Sequence, residues 1–196
     1  MVYKVSKPDR NLKGHIYLSG SKSISNRVLI MEALMEKTIV KQNLSDSNDT
    51  KVMMELLASP SDELDAHDAG TTFRFMTAYL SLKEGTCILT GSERMKQRPI
   101  GDLVDPLREL GAQIEYLGKE NYPPLQITGT KMKGGRIKVQ SGISSQFASA
   151  LLMIAPCMTD GLTLELTGEI VSEPYIDMTL SLMQHFGVQH ERKENI

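Results

Sequence analysis

The sequence predicts an α/β (α+β) protein built from three repeated units, and three observations support this prediction. First, three runs with helical spacing of apolar residues each follow a short lead-in of Gly, Ser or Thr. Second, two later helical runs each close at a glycine. Third, short β-rich runs alternate with these helices. Because helices that alternate with strands pack onto sheets, we expect a mixed sheet in each unit.

The first helix of each unit is predicted where small polar residues precede an apolar run. The lead-ins are residues 20–27, 69–74 and 142–146, and residues 28–35, 75–82 and 147–155 follow them. Each lead-in carries Ser or Thr where a helix is usually capped. Shared residue types at corresponding places favour repetition over the ordinary alternation of any α/β chain.

The second helices of the later units are predicted over residues 99–112 and 174–188. Each opens at a proline and closes at a glycine, and residues 50–58 take this place in the first unit. The second unit continues through two more strands, whereas the third stops after its helix. We therefore expect a truncated third unit in an N-terminal part of a longer protein. Strands are predicted over residues 86–91, 113–117, 125–129, 136–140 and 162–168.

Composition excludes several classes of protein. The 196 residues include 24 acidic and 22 basic ones, a net charge of −2, which gives no field for nucleic acid and no polybasic membrane patch. Residues 1–20 have no signal-peptide core, and the longest apolar run, 150–157, is far short of the ~20 residues that span a bilayer. The two cysteines and four histidines show no disulfide or metal spacing, and Cys87 and Cys157 are expected to be buried. These features predict a soluble, cytoplasmic protein without a metal.

The three lead-ins together predict a site for phosphate or carboxylate groups. Helix starts gather free N–H groups and the positive end of the helix dipole, which attract anions. A serine at one helix start is usually only a cap, but recurrence on equivalent elements favours a ligand site. Arg74, inside a predicted helix, is expected to form a structural ion pair. The candidate ligand groups are Lys22, Ser23 and Arg27 in the first unit, Gly70 and the basic run Arg94, Lys96 and Arg98 in the second, and Ser144, Ser145, Gln146, Ser172 and Tyr175 in the third.

Five segments in order resemble the 3-phosphoshikimate 1-carboxyvinyltransferase (EPSP synthase) family. The resemblance implies two lobes, each made of three βαβαββ units that form half of an inside-out α/β barrel. It also implies that residues 1–18 contribute to the second lobe, while 19–196 form an N-terminal substrate-binding lobe that is incomplete at its C-terminus. The segments are 19–27, 69–71 with Arg74, 94–101, 144–147 with 150–153, and 172–177.

The resemblance implies a reaction of the shikimate pathway, which leads to chorismate and the aromatic amino acids. The family transfers the enolpyruvyl group of phosphoenolpyruvate to the 5-hydroxyl of shikimate 3-phosphate and releases phosphate. The reaction passes through a tetrahedral intermediate and uses no metal or organic cofactor. The full-length family members are expected to be cytoplasmic monomers, and the inhibitor glyphosate occupies their phosphoenolpyruvate site.

The resemblance also implies a role for each candidate side chain. It assigns no catalytic acid or base to this chain, because those residues belong to the second lobe, so the chain alone is expected to show no turnover. For phosphoenolpyruvate it implies Lys22, Gly70, Arg98 and Gln146. For shikimate 3-phosphate it implies Lys22, Ser23, Arg27, Ser144, Ser145, Gln146, Ser172 and Tyr175.

Departures from the family pattern leave two alternatives open. Asp68, Phe75 and Glu173 stand where Asn, Pro and Lys are common, and an extra carboxylate would weaken anion binding unless it points away. These changes also bear on glyphosate sensitivity. One alternative is the sister family, UDP-N-acetylglucosamine enolpyruvyltransferase, which has Lys-Asn at the place of Lys22-Ser23. The other is a noncatalytic anion-binding lobe.

Overall fold

A computed structural model of the chain describes residues 3–4, 6, 8–9, 11, 13–35, 37–140, 144–168 and 172–193. Helices and strands alternate along these ranges, which confirms the predicted α/β class. The helices are α1 Lys22–Met35, α2 Asn48–Ala58, α3 Gly70–Leu80, α4 Gly101–Glu109, α5 Ser145–Ile154 and α6 Glu173–His185. The strands are β1 Glu63–Asp65, β2 Thr86–Thr90, β3 Gln113–Tyr116, β4 Leu125–Thr128, β5 Gly135–Gln140 and β6 Leu162–Thr167.

The first helix of each unit begins inside its predicted lead-in, and α5 does so at Ser145. The first and second lead-ins are themselves helical, since α1 begins at Lys22 and α3 at Gly70, and Ala69 before α3 offers no side-chain cap. Ser21 and Ser144 cap their helices: Ser21 Oγ accepts a hydrogen bond from the Ile24 N–H at 3.4 Å, and Ser144 Oγ accepts one from the Gln146 N–H at 3.3 Å. Residues 142 and 143 of the third lead-in lie outside the described residues.

The second helices end as predicted. Gly111 after α4 and Gly187 after α6 have φ angles of 103° and 85°. This left-handed conformation is the usual helix stop and strongly favours glycine. Pro174 lies in the first turn of α6, as expected, whereas α4 begins at Gly101, two residues beyond Pro99.

The larger sheet belongs to the second unit and has the order β1-β2-β4-β3. β1 is parallel to β2, and β4 runs antiparallel to both β2 and β3, so this sheet is mixed, as predicted. The element order from β1 to β4 is βαβαββ. The sequence prediction missed β1, because three residues with one buried position are too few to form a recognisable alternation.

The predictions for the other two units need correction. β5 and β6 form a purely parallel pair, not a mixed sheet. The first unit contributes α1 and α2, and among the described residues no strand precedes or separates them; β1, which follows α2, joins the sheet of the second unit. A mixed sheet in every unit was therefore a wrong prediction, and the third unit has the order βαβα.

The core lies between the sheets and the first helices of the units. α3 is buried along almost its whole length, and methionines such as Met53, Met76 and Met95 fill the interior. The predicted burial of the cysteines is only partly correct. Cys87 is half-buried, which raises the pKa of its thiol, whereas Cys157 is exposed.

Residues 13–21 contain no helix or strand. Ile16, Tyr17 and Leu18 each expose more than 80% of their surface. The assignment of residues 1–18 to a second lobe stays a prediction, and residues 1, 2, 5, 7, 10 and 12 lie outside the described residues. None of the helices in the described ranges combines the length and apolar character that crossing a membrane requires.

Candidate anion site

The starts of four helices meet at one side of the molecule. α3 and α5 each connect two parallel strands, so both helices begin at the carboxyl edge of their sheets. Gln146 Nε2 at the start of α5 donates to Thr71 Oγ1 at the start of α3, at 3.3 Å. Thr72 Oγ1 donates to the Asp49 carbonyl of α2 at 2.7 Å, and the Lys22 ammonium of α1 donates to the Asp49 carboxylate at 2.9 Å. The structure therefore brings the three predicted lead-ins together.

Lys22 is the most accessible cation of this group. Its side chain is 45% exposed, while its partner Asp49 is only 16% exposed. A Lys ammonium has three N–H donors, and the contact with Asp49 uses one of them. The other N–H groups can donate to a ligand. A ligand anion can therefore share Lys22 with Asp49. No local pattern points to this carboxylate partner, which lies 27 residues along the chain.

Arg27 lies deep behind Lys22 and connects three helices. Its Nε donates to Thr179 Oγ1 at 2.7 Å and its Nη2 to Ser149 Oγ at 2.8 Å, which joins α1 to α6 and α5. Its Nη1 donates to the Ser23 carbonyl at 2.8 Å, and its guanidinium lies 5.2 Å from the Phe75 ring centre. Burial lowers the pKa of Arg27 to about 10, against a smaller raising effect of Tyr175. The guanidinium is thus committed to protein acceptors.

Gly70 and Arg98 are in contact at the start of α3. A Cβ atom placed on Gly70 would lie 2.7 Å from Arg98 Cζ, so a side chain there would displace the guanidinium. Of the three basic residues predicted before α4, Arg98 alone contacts a lead-in. Lys96 instead pairs with Glu93 at 2.8 Å, and Arg94 is exposed.

Arg74 is a functional candidate that the sequence prediction dismissed. The structure does not support the expected ion pair, since no carboxylate within the described ranges lies within ion-pair distance of Arg74. It is buried in α3, its Nη1 donates to the Gly70 carbonyl at 2.9 Å, and its guanidinium lies 5.4 Å from the Phe147 ring centre. Burial and the neighbouring Arg98 lower its pKa to about 10. The available signal was its position four residues after Gly70, one helical turn away.

The third unit contributes hydroxyl groups on the other side of the site. Ser144, Ser145 and Gln146 are all half-buried at the start of α5. Ser172 precedes α6 with a left-handed φ of 67° and makes no side-chain cap. Tyr175 is 44% exposed, and its carbonyl accepts from Thr179 and Arg27.

The three departures from the family pattern have distinct surroundings. The Asp68 carboxylate accepts a hydrogen bond from Ser92 Oγ at 2.6 Å. Phe75 is fully buried and packs against Arg27. Glu173 pairs with Arg192, which also binds Asp177 at 2.5 Å. Both carboxylates at positions 68 and 173 therefore have protein partners.

The site combines cations, hydroxyls and helix starts, which suits a small polyanion more than an apolar or metal ligand. Lys22, Arg74 and Arg98 supply positive charge, and the serines supply donors. In the ranges that the structure describes, no group of three His, Cys, Asp or Glu residues is arranged to hold a metal ion.

Comparisons with known proteins agree with this geometry. The family profile described as EPSP synthase (3-phosphoshikimate 1-carboxyvinyltransferase) matches residues 6–60 and 57–196. A 3-phosphoshikimate 1-carboxyvinyltransferase of Bacteroides fragilis is 52% identical over 187 residues, which cover 95% of this chain and 45% of that protein. A protein of the same name from Sulfurovum is 43% identical over 215 residues, covering 96% of this chain and 50% of the relative.

The same fold occurs in a solved structure, EPSP synthase from Acinetobacter baumannii. It superposes with a TM-score of 0.78 at 21% identity, over 93% of this chain and 46% of that protein. The chain thus spans about half the length of the relatives it matches. The profile match covers almost every residue, and the chain therefore belongs to the EPSP synthase family.

Proposed function

We propose that this chain binds shikimate 3-phosphate and phosphoenolpyruvate as the substrate-binding half of an enolpyruvyl transferase. The observation that carries the proposal is the hydrogen bond between Gln146 and Thr71. It places the α5 residues proposed for shikimate 3-phosphate beside the α3 residues proposed for phosphoenolpyruvate. Two anions bound at adjacent helix starts are held close enough to react.

The proposed reaction joins the 5-hydroxyl oxygen of shikimate 3-phosphate to C2 of phosphoenolpyruvate, while that hydroxyl loses its proton to a base and C3 gains a proton from an acid. In the tetrahedral intermediate that results, loss of a proton from C3 and cleavage of the C2–O bond to phosphate restore the double bond. Lys22 and Arg98 would counter the negative charges, and Ser144, Ser145 and Ser172 would orient the phosphate of the acceptor. The residues at the starts of α3 and α5, which the Gln146–Thr71 hydrogen bond joins, would thus bind and orient the two substrates.

Proton transfer needs an acid and a base, and the proposed ligand residues of this chain include neither a carboxylate nor a histidine. We therefore expect the 196-residue chain to bind substrate without turnover. The remaining length of the relatives would supply the second lobe and the acid–base groups. A cytoplasmic monomer is the form in which we expect the complete enzyme to work.

Isothermal titration of the chain with shikimate 3-phosphate at low salt tests the proposal. We expect saturable binding that Lys22→Ala weakens about tenfold, as expected for the loss of one charge-assisted contact. Lys133→Ala is the matched control, because Lys133 is 83% exposed at the opposite edge of the β5–β6 pair. Equal affinities of the two variants would contradict the proposed site.

Two further titrations separate the alternatives. A response to UDP-N-acetylglucosamine in place of shikimate 3-phosphate would favour the sister family. Binding of phosphate alone, with no preference for the shikimate ring, would favour a noncatalytic anion-binding lobe. Phosphate release by the purified chain at the rate of a full-length relative would contradict the expected lack of turnover.

A further inference from the structure

We propose that Arg74 is a positioning residue of the Gly70–Arg98 site and makes that site selective for anions that carry two negative charges. The inference rests on the proposed function in one respect, because it takes phosphoenolpyruvate as the natural anion. The contacts of Arg74 themselves do not depend on that assignment.

Two arginine guanidiniums are in contact with Gly70. Arg74 donates to the Gly70 carbonyl from within the helix, and Arg98 lies against the Gly70 α-carbon. Both guanidiniums therefore lie at Gly70. Arg74 is 93% buried, since its exposed fraction is 7%, whereas Arg98 is only half-buried and can reach a ligand.

The positive charges of Arg74 and Arg98 need negative charges to balance them. No ion pair of Arg74 or Arg98 occurs among the residues that the structure describes, and Arg74 Nε is buried without a hydrogen-bond partner. A buried charge without a counter-charge is costly, and two adjacent like charges increase the cost. A bound monoanion balances one guanidinium, and only a second negative charge balances the other.

The lowered pKa of Arg74 agrees with this balance. Its pKa of about 10 lies below the ordinary value of 12.5, so the guanidinium stays charged at neutral pH. A pKa that is lower in the folded than in the unfolded state means that the folded state disfavours the charged guanidinium. The folded protein avoids this cost only at high pH, where the group is neutral, and it carries the full cost once the pH falls below the pKa of the folded state. At neutral pH the ligand-free protein therefore carries the cost of this charge.

A purely structural role for Arg74 makes the opposite prediction. Its guanidinium also lies over the Phe147 ring and so joins α3 to α5. If this packing were its whole purpose, removing the charge would lower the stability of the free protein and leave anion binding unchanged. If Arg74 serves the anion, removing the charge costs binding and leaves the free protein as stable or more stable.

The test measures thermal unfolding of the chain with sulfate or perchlorate at constant ionic strength. These ions are both tetrahedral, but sulfate carries two charges and perchlorate one. We expect sulfate to stabilise the wild type more than perchlorate does. In Arg74→Met, we expect sulfate affinity to fall at least ~10-fold and perchlorate affinity to change less than ~2-fold, since the variant loses the interaction between the Arg74 charge and the second charge of the anion. We expect the melting temperature of the ligand-free variant not to fall.

Arg108 offers a matched control. Its Nε and Nη2 donate to the Ile114 carbonyl and its guanidinium lies 4.8 Å from the Tyr116 ring centre, so it shares the carbonyl and aromatic contacts of Arg74. Unlike Arg74, it has a carboxylate, Glu120, at 3.8 Å. Arg108→Met should lower the melting temperature and leave the preference for sulfate intact.

Two more variants keep the proposal falsifiable if Arg74→Met does not fold. Arg74→Lys keeps the charge and should retain the preference for sulfate, whereas Arg74→Gln should lose it. Equal sulfate preference in both, or none in the wild type, would overturn the proposal.

The shikimate 3-phosphate titration distinguishes this inference from the proposed function. If the chain binds shikimate 3-phosphate but the Arg74 variants keep the preference for sulfate, only this inference is rejected. If the chain does not bind shikimate 3-phosphate but the Arg74 variants lose the preference for sulfate, only the proposed substrates are rejected.

Discussion

Arg27 and Arg74 show how the environment of one residue decides its role. Both are buried in helices, and both have a pKa lowered to about 10, chiefly by burial. Arg27 has hydroxyl and carbonyl acceptors at all three guanidinium nitrogens, whereas Arg74, within the described part of the chain, has one carbonyl acceptor and an Nε without a partner. The first arrangement stabilises the fold, and the second leaves a charge for a ligand to balance.

Replacing Arg27 with Met is expected to destabilise the chain strongly. The variant loses charge-assisted hydrogen bonds to Thr179 and Ser149 and leaves those hydroxyls without this donor. We expect a loss of about 3 kcal/mol in the free energy of unfolding, measured by urea titration. Arg136→Met, which removes an exposed pair with Glu165, should cost less than about 1 kcal/mol. Similar losses in the two variants would contradict the structural role of Arg27.

Arg192 is expected to protect the site from the carboxylate of Glu173. It pairs with Glu173 and Asp177 in the first turns of α6, beside Ser172. Arg192→Ala would expose both charges to an incoming anion, so we expect shikimate 3-phosphate affinity to fall by about threefold at low salt and less at high salt. The adjacent Lys193→Ala is the control, and Glu173→Gln in the Arg192→Ala background should restore binding. An unchanged affinity of Arg192→Ala would reject this role.

At the scale of elements, the two helix starts of the third unit use their serines differently. Ser144 caps α5 through its side chain, whereas Ser172 precedes α6 without a side-chain cap. Both were predicted as ligands of the same phosphate. Ser144 therefore stabilises its helix, whereas the Ser172 hydroxyl makes no capping hydrogen bond.

Substitution of these two serines by alanine should separate stability from binding. Ser144→Ala should lower the free energy of unfolding by about 1 kcal/mol, because an N-cap is lost. Ser172→Ala should change it by less than about 0.5 kcal/mol, because no capping bond is removed. Both should weaken shikimate 3-phosphate binding in titration calorimetry. A large stability loss in Ser172→Ala would contradict the absence of a cap.

At the scale of the molecule, the site holds the units of the fold together. Arg27 connects α1 to α5 and α6, and Gln146 connects α5 to α3, so both links pass close to the predicted ligands. A ligand at this junction contacts elements that are far apart in sequence. Its binding should therefore stabilise the whole chain.

We expect shikimate 3-phosphate to raise the melting temperature, and above its Kd the gain should grow with the logarithm of its concentration. At a ligand concentration of 100 Kd the gain is about 2.7 kcal/mol, which corresponds to roughly 5–10 °C for a chain of this size. Differential scanning calorimetry at increasing ligand concentrations measures this shift. Inorganic phosphate at equal ionic strength is the control and should give a smaller one. Equal shifts would show that the ring of the substrate is not recognised.

Much of the fold follows from local sequence patterns. Apolar spacing and the glycines at 111 and 187 placed the helices, because they reflect backbone geometry within a few residues. The five predicted strands also agree with the structure. β1 was missed because its three residues gain their structure from pairing with β2, and local sequence carries little of that information.

The sequence by itself determined the fold class, five of the six described strands and the family, since each depends on local periodicity or on motifs that stay together in the chain. Only the tertiary structure decided which basic side chains are available to an anion. Arg27 binds Thr179 and Ser149, and Lys96 pairs with Glu93. Arg74 lies beside Arg98, with no carboxylate partner among the residues that the structure describes. These differences come from neighbours distant in sequence, because burial and Coulomb interactions depend on position in space.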